Sequence, residues 1–131
     1  GLEELVRVVH QSVYDFKEPG FNAVYFGASF MLLPDPIGAL RHVGALLAPG
    51  GRLFFTQTFE ERRSPLMEKA KPMLHKLTTI HFGRVTYEAD FFAVLAEAGC
   101  EVLEHERIGG GSARSWRMVV ARPGEVVAGA A

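Results

Sequence analysis

The sequence predicts an α/β domain: a parallel strand–helix–strand unit, then a less regular stretch, then a helix and a C-terminal antiparallel β-hairpin. Three observations predict it. The apolar run "FNAVYFGASF" (21–30) leads into an amphipathic helical pattern, and beyond Pro49-Gly50-Gly51 a second β-rich run, "RLFFTQT", begins. A strand, a helix and a strand in that order make the unit that joins neighbouring parallel strands. Near the end, "EVLEHERI" and "SWRMVVAR" alternate polar and apolar residues on either side of Gly109-Gly110-Gly111-Ser112, the pattern of an antiparallel pair joined by a tight turn.

Taken in order, Leu5-Val6-Arg7-Val8-Val9 is β-rich and reads as a first strand, stopped by the Pro19-Gly20 turn signal. The next run is apolar on both faces, so Ala23–Gly27 is expected to be a strand buried on both sides of a parallel sheet. Asp35 suits a helix N-cap and Pro36 the first helical position. Ile37, Leu40, Val43 or Gly44, and Leu47 recur at steps of three and four, giving one apolar face. Pro49 cannot extend that helix, and the paired glycines accept backbone angles closed to other residues, so the chain reverses and enters a strand over Arg52–Thr58. From Glu60 to Gly83 the pattern loosens: Ser64 and Pro65 open a helix that Pro72 ends or kinks, and "TTIHFGR" reads as a loop. A second helix starts at about Thr86, with Phe91, Leu95 and Ala98 on one face and Gly99 as its stop.

Bulk composition narrows the partners. A chain of 131 residues with 48% hydrophobic content fills one core. Its 14 basic and 15 acidic side chains leave no basic excess, which argues against a nucleic-acid surface or a membrane-surface helix. No apolar stretch reaches the roughly 18–20 residues needed to span a bilayer, and no signal-peptide pattern opens the chain. One cysteine, Cys100, cannot form an internal disulfide, so a cytoplasmic setting is the expectation. Residues 1–122 are expected to form the domain and 123–131, rich in small residues, a frayed tail.

The ordered set of features resembles the C-terminal part of class I S-adenosylmethionine-dependent methyltransferases. In that family a buried strand opens "F-D-x-V", a helix follows, and "L-x-P-G-G-x-L" leads into the next strand. Here Phe21-Asn22-Ala23-Val24 and Leu47-Ala48-Pro49-Gly50-Gly51-Arg52-Leu53 stand in those places, with Asn22 replacing the usual aspartate. The likeness covers about residues 5–122 and implies a partial Rossmann-like sheet, mostly parallel, closed by an antiparallel hairpin. It also implies S-adenosylmethionine as the cofactor of the complete protein. The family's glycine-rich cofactor loop and its ribose-binding acid have no counterpart here. The chain therefore reads either as a piece of a longer methyltransferase or as a truncated relative. The family's strand order, 3-2-1-4-5-7-6, would leave Leu5–Val9 without a neighbour and Ala23–Gly27 with a bare apolar edge. Self-association by edge pairing or strand exchange, or pairing with an N-terminal segment, is the expected consequence.

The resemblance also implies a site. The adenine-holding turn matches Ser12 and Val13, with Tyr14 close by; Asp15 takes that role only if the register slips. A serine hydroxyl can still accept a hydrogen bond from the adenine amine. Gly27, Ala28 and Ser29, after the fourth family strand, correspond to the floor beneath the cofactor's methionine and methyl. Open α/β sheets bind ligands outside the carboxyl ends of their strands. Small residues there also serve simple tight packing against the next helix. Methyl transfer needs mainly alignment, and a general base only when the acceptor carries a proton. His75 and His81, in the insert after the second parallel strand, are the candidate bases; His10, His42 and His105 fall within regular elements. The expected acceptor is a small molecule or a protein side chain.

Three other readings are weighed. "FGASFM" sets Ser29 at a strand-to-helix turn like a hydrolase elbow, but Met31 occupies the position that glycine normally takes. Gly109–Ser112 lacks the lysine and the following helix of a phosphate loop. Five scattered histidines and one cysteine have no metal-ligand spacing, so no metal is expected. The serious rival is a non-catalytic, methyltransferase-like module that serves assembly or partner binding.

Overall fold

The computed structural model describes residues 1–60 and 87–124. Four strands form one sheet: β1 (Phe21–Gly27), β2 (Leu47–Glu60), β3 (Cys100–Gly110) and β4 (Arg114–Pro123), in the order β1-β2-β4-β3. Helix α1 (Pro36–Leu46) connects β1 to β2, which pair in parallel as the pattern required. Helix α2 (Glu88–Glu97) precedes the antiparallel β3–β4 hairpin, and β4 also pairs antiparallel with β2. The sheet is thus mixed, with one parallel and two antiparallel pairings among the described residues, where the sequence suggested a mostly parallel one.

The shortfall has a physical source. Leu5–Val9, expected to be a strand, has no ladder partner among the described residues; Leu5 has αR angles, and the N–H groups of Leu5 and Val6 donate to the Leu2 carbonyl at 2.9 Å, while residues 1–10 are all exposed. Short 3₁₀ turns, at Leu2–Glu4 and Val13–Asp15, lie on either side of it. A β-branched run supplies the inclination to be a strand, but a neighbour must supply the hydrogen bonds. The same lack corrects the expectation for Ala23–Gly27. Phe26 is buried and Val24 half-buried on one face, whereas Ala23, Tyr25 and Gly27 on the other are exposed.

The local signals elsewhere act as the chemistry dictates. Asp35 caps α1 by accepting the Gly38 N–H at 2.9 Å, and Pro36 follows it. The turn at Pro49-Gly50-Gly51 lies inside an irregularity of the β1–β2 ladder, between the pairs Phe21–Leu47 and Ala23–Arg52. Gly50 sits at φ +77°, and a Cβ on Gly51 would lie 2.9 Å from the carbonyl oxygens of Ala48 and Phe21. Only glycine fits both demands. Gly99, at φ +79°, ends α2.

Both helices cover one face of the sheet, and an aromatic core lies between. Leu53, Phe55, Gln57 and Phe59 alternate along that face of β2 and are all buried. Phe26 stacks on Phe55 at 5.4 Å, and Phe30 meets both edge-on at 5.2 and 5.1 Å. From α2, Phe91 meets Phe55 at 5.4 Å and Phe59 at 5.2 Å, again edge-on. Each such pair adds about 0.5–1.5 kcal/mol beyond simple burial. This cluster fixes where β1 ends, and so where a site can form.

Candidate functional site

Because β1 and β2 are parallel, their carboxyl ends lie on the same side of the sheet. There Gly27 is in register with Thr56. The next residue, Ala28, donates its N–H to the Thr56 carbonyl at 2.8 Å and has φ +55°, a left-handed value unusual for a residue with a Cβ. Burial of Phe30, 1% exposed, pins the chain just beyond and holds Ala28 in that conformation. Ser29 opens the 3₁₀ turn Phe30–Leu32 without a side-chain cap bond and is exposed. The sequence-predicted residues Gly27, Ala28 and Ser29 therefore form one tight, over-determined turn at the strand ends.

Ser12, Val13 and Tyr14 form a second turn. The Ser12 hydroxyl accepts the Tyr14 N–H at 3.3 Å and remains exposed, while Val13 packs against the core. Tyr14 is committed elsewhere: its hydroxyl donates to the Asp35 carbonyl and accepts from the Asp35 N–H, each at 2.9 Å. That pair of hydrogen bonds ties the second turn to the residue capping α1, on the side where the first turn lies. Asp15 is exposed and ends the short 3₁₀ turn.

Two residues that the sequence did not single out adjoin the Gly27–Ser29 turn. The Tyr25 hydroxyl is 2.8 Å from Thr56 Oγ1, and its ring lies where a Cβ on Gly27 would approach to 3.2 Å. The space beside Gly27 is thus taken by the Tyr25 ring. Period-two alternation places Tyr25 and Gly27 on one face; only the β2 register identifies Thr56 as their neighbour.

The histidines divide. His75 and His81 lie outside the described residues. A ring nitrogen of His42 contacts the Phe16 carbonyl. His105 packs on Phe92 at 4.9 Å, with Nε2 3.0 Å from Arg117, whose guanidinium also meets Glu88 at 2.9 Å. Neither is engaged with Ser29, so among the described residues no hydrolase arrangement forms around it. Gly109–Ser112 is a hairpin turn, closed by the Gly111 N–H donating to the Arg114 carbonyl at 2.8 Å. Burial pushes the Cys100 thiol up, leaving it protonated and a poor nucleophile at neutral pH. Among the described residues no cluster of His, Cys, Asp or Glu is placed to hold a metal ion, and no helix is long and apolar enough to cross a membrane.

A parallel pair continued by a hairpin in the order β1-β2-β4-β3, with both helices on one face, has many counterparts among solved structures. The S-adenosylmethionine-dependent methyltransferase SibL superposes with a TM-score of 0.66 at 22% identity, over 94% of this chain and 37% of its own. This is the class I methyltransferase fold over part of its length. Magnesium protoporphyrin IX methyltransferase from Synechocystis PCC 6803, solved with bound SAH, matches at TM-score 0.55 and 15% identity, covering 86% of this chain and 48% of that one. The [4+2]-cyclase SpnF matches at 0.62 and 14% identity, covering 87% of this chain and 55% of that one. The chain thus spans roughly a third to a half of these proteins. No protein-family model matches it, and no curated protein matches it in sequence. A shared fold does not by itself assign a reaction, and SpnF illustrates the point.

Proposed function

We propose that these residues are the C-terminal portion of an S-adenosylmethionine-dependent methyltransferase acting on a small-molecule or protein acceptor. The observation that carries this reading is the strained Gly27–Ser29 turn at the carboxyl ends of two parallel strands, within a methyltransferase-like strand order. The residues fit one wall of a nucleoside-cofactor site. Ser12 offers an exposed hydroxyl oxygen with a lone pair to spare for the adenine amine, and Val13 flanks it. Tyr14 serves as a positioning residue, since its hydroxyl is spent on Asp35. Gly27 and Ala28 keep bulk away from the methionine side. S-adenosylmethionine supplies an electrophilic sulfonium methyl when bound. The protein's share is to align the acceptor with it and, for a protonated acceptor, to take one proton. His75 and His81 remain the proposed bases.

A second reading, a non-catalytic assembly module, is favoured by Tyr25, whose ring and hydroxyl close over Gly27 and Thr56. Calorimetry separates the two. The complete protein, with a glycine-rich loop upstream, should bind S-adenosylmethionine and S-adenosylhomocysteine, whereas residues 1–131 alone should bind neither appreciably. Ser12→Ala in the complete protein should weaken binding about fivefold, the worth of one hydrogen bond near 1 kcal/mol. A complete protein that binds neither compound would leave the module reading standing.

A further inference from the structure

The chain has one tryptophan, Trp116, and it stays out of the aromatic core. Its ladder partner on β2 is Thr58, which points away from the helices between the buried Gln57 and Phe59. The indole is 48% exposed on that face. Beside it lies a cleft of about 260 Å³ between the end of β2 and the β3–β4 hairpin, lined by Trp116 with Thr58, Ile108, Gly109 and Arg114. We propose that this cleft is a binding site for a planar aromatic ring that carries an anionic oxygen, as an aromatic carboxylate does. The ring stacks on Trp116, and the oxygen accepts from Arg114.

The cleft exists because a glycine faces the indole. Gly109 pairs with Trp116 across the hairpin, and a Cβ there would lie 3.9 Å from the tryptophan Cβ, so a larger side chain at 109 would occupy the cleft. The walls are preformed. Gly110 sits at φ +110°, where a Cβ would lie 2.3 Å from the Arg114 carbonyl oxygen, so glycine is required. The Gly111 N–H donates to that carbonyl at 2.8 Å, and Arg107 donates to the Gly111 carbonyl at 2.7 Å, which holds the hairpin end in place. Arg114 is the one charged residue lining the cleft. Its Nε–H is taken by Glu60, which orients the guanidinium, and its terminal N–H groups have no partner among the described residues. Such a planar fork matches a carboxylate, and an indole face matches a flat ring. At about 260 Å³ the cleft is smaller than the roughly 300–1,000 Å³ of pockets that enclose a drug-sized molecule, so it suits one or two fused rings. Thr58 lies two residues beyond Thr56, which is in register with Gly27, so the cleft opens at the same end of the sheet as the Gly27–Ser29 turn, about 12 Å from Gly27 by strand spacing. In the methyltransferase reading the occupant is therefore the acceptor's ring; that identification rests on the reading, whereas the binding site does not.

Because Trp116 is the sole tryptophan, the 131-residue chain gives one indole N–H resonance, which reports directly on the cleft. Titration with 2-naphthoate should shift that resonance and saturate. Decahydro-2-naphthoate, with the same charge and no π face, should bind at least tenfold more weakly. The cation 2-naphthylmethylamine, with the ring but the opposite charge, should bind at least fivefold more weakly. Gly109→Val should weaken 2-naphthoate binding at least tenfold and leave the hairpin intact, since Gly109 is not one of the left-handed glycines. Absence of a saturable shift with 2-naphthoate would overturn the proposal. So would equal affinity for the saturated acid or for the amine, or a Gly109→Val chain that binds 2-naphthoate unchanged. Cofactor is left out of the titration, so failure here leaves cofactor binding standing, and failure to bind cofactor leaves this site standing.

Discussion

The two edges of this sheet are built differently. Strand β3 carries Glu101, Glu104, Glu106 and Arg107 along a run that is almost entirely exposed. Strand β1, at the opposite edge, has no charge at all and shows Ala23 and Tyr25 to solvent. Charged residues on an edge discourage pairing with another chain, because a strand laid beside them must desolvate them. The β3 edge is therefore a terminus, whereas the β1 edge has the composition of an interior strand. The lesson is that apolar content reports what a strand is made to meet, and exposure reports what it has met.

The largest expected effect tests how much the interior strands carry without help from the β1 edge. Phe55 is fully buried against Phe26, Phe30 and Phe91, so Phe55→Ala should cost about 3–5 kcal/mol in urea unfolding, by lost transfer energy and the cavity left behind. A loss under about 1 kcal/mol would mean that the aromatic cluster is not the centre of stability. Next, removing the charges that guard β3, with Glu104→Val and Glu106→Val together, should make that edge resemble β1 and give a concentration-dependent increase in sedimentation coefficient. An unchanged coefficient would show that charge is not what separates the two edges. A smaller effect sharpens the local part: Asp35→Ala removes the α1 cap and should cost about 1 kcal/mol. Smallest of all, Val8→Lys should change stability by no more than about 0.5 kcal/mol, since Val8 is 91% exposed and packs on nothing.

Most of the architecture was legible because its signals are local. Asp35-Pro36 marks the start of α1, Pro49-Gly50-Gly51 the way into β2, and Gly99 the end of α2, each through backbone angles or caps that one or two residues set. What escaped depends on neighbours distant in sequence. The pattern at Leu5–Val9 holds everything a strand needs except a partner, and no periodicity reports a missing partner. Burial of β1 on both sides failed for the same reason. At the candidate site, small residues at Gly27 and Ala28 were readable as a close-approach turn. The left-handed angle of Ala28, the Tyr14–Asp35 tie and the Tyr25–Thr56 contact were not, because each follows from register and not from spacing.

The excursion at Pro49-Gly50-Gly51 has one more consequence. Between the pairs Phe21–Leu47 and Ala23–Arg52, β2 spends three more residues than β1. That slack uncouples the length of the crossover from the alignment of the two strands, so a residue gained or lost there alters a surface bump and leaves the Phe26–Phe55 stack in place. Relatives should accumulate insertions at this corner more readily than anywhere between Arg52 and Thr58.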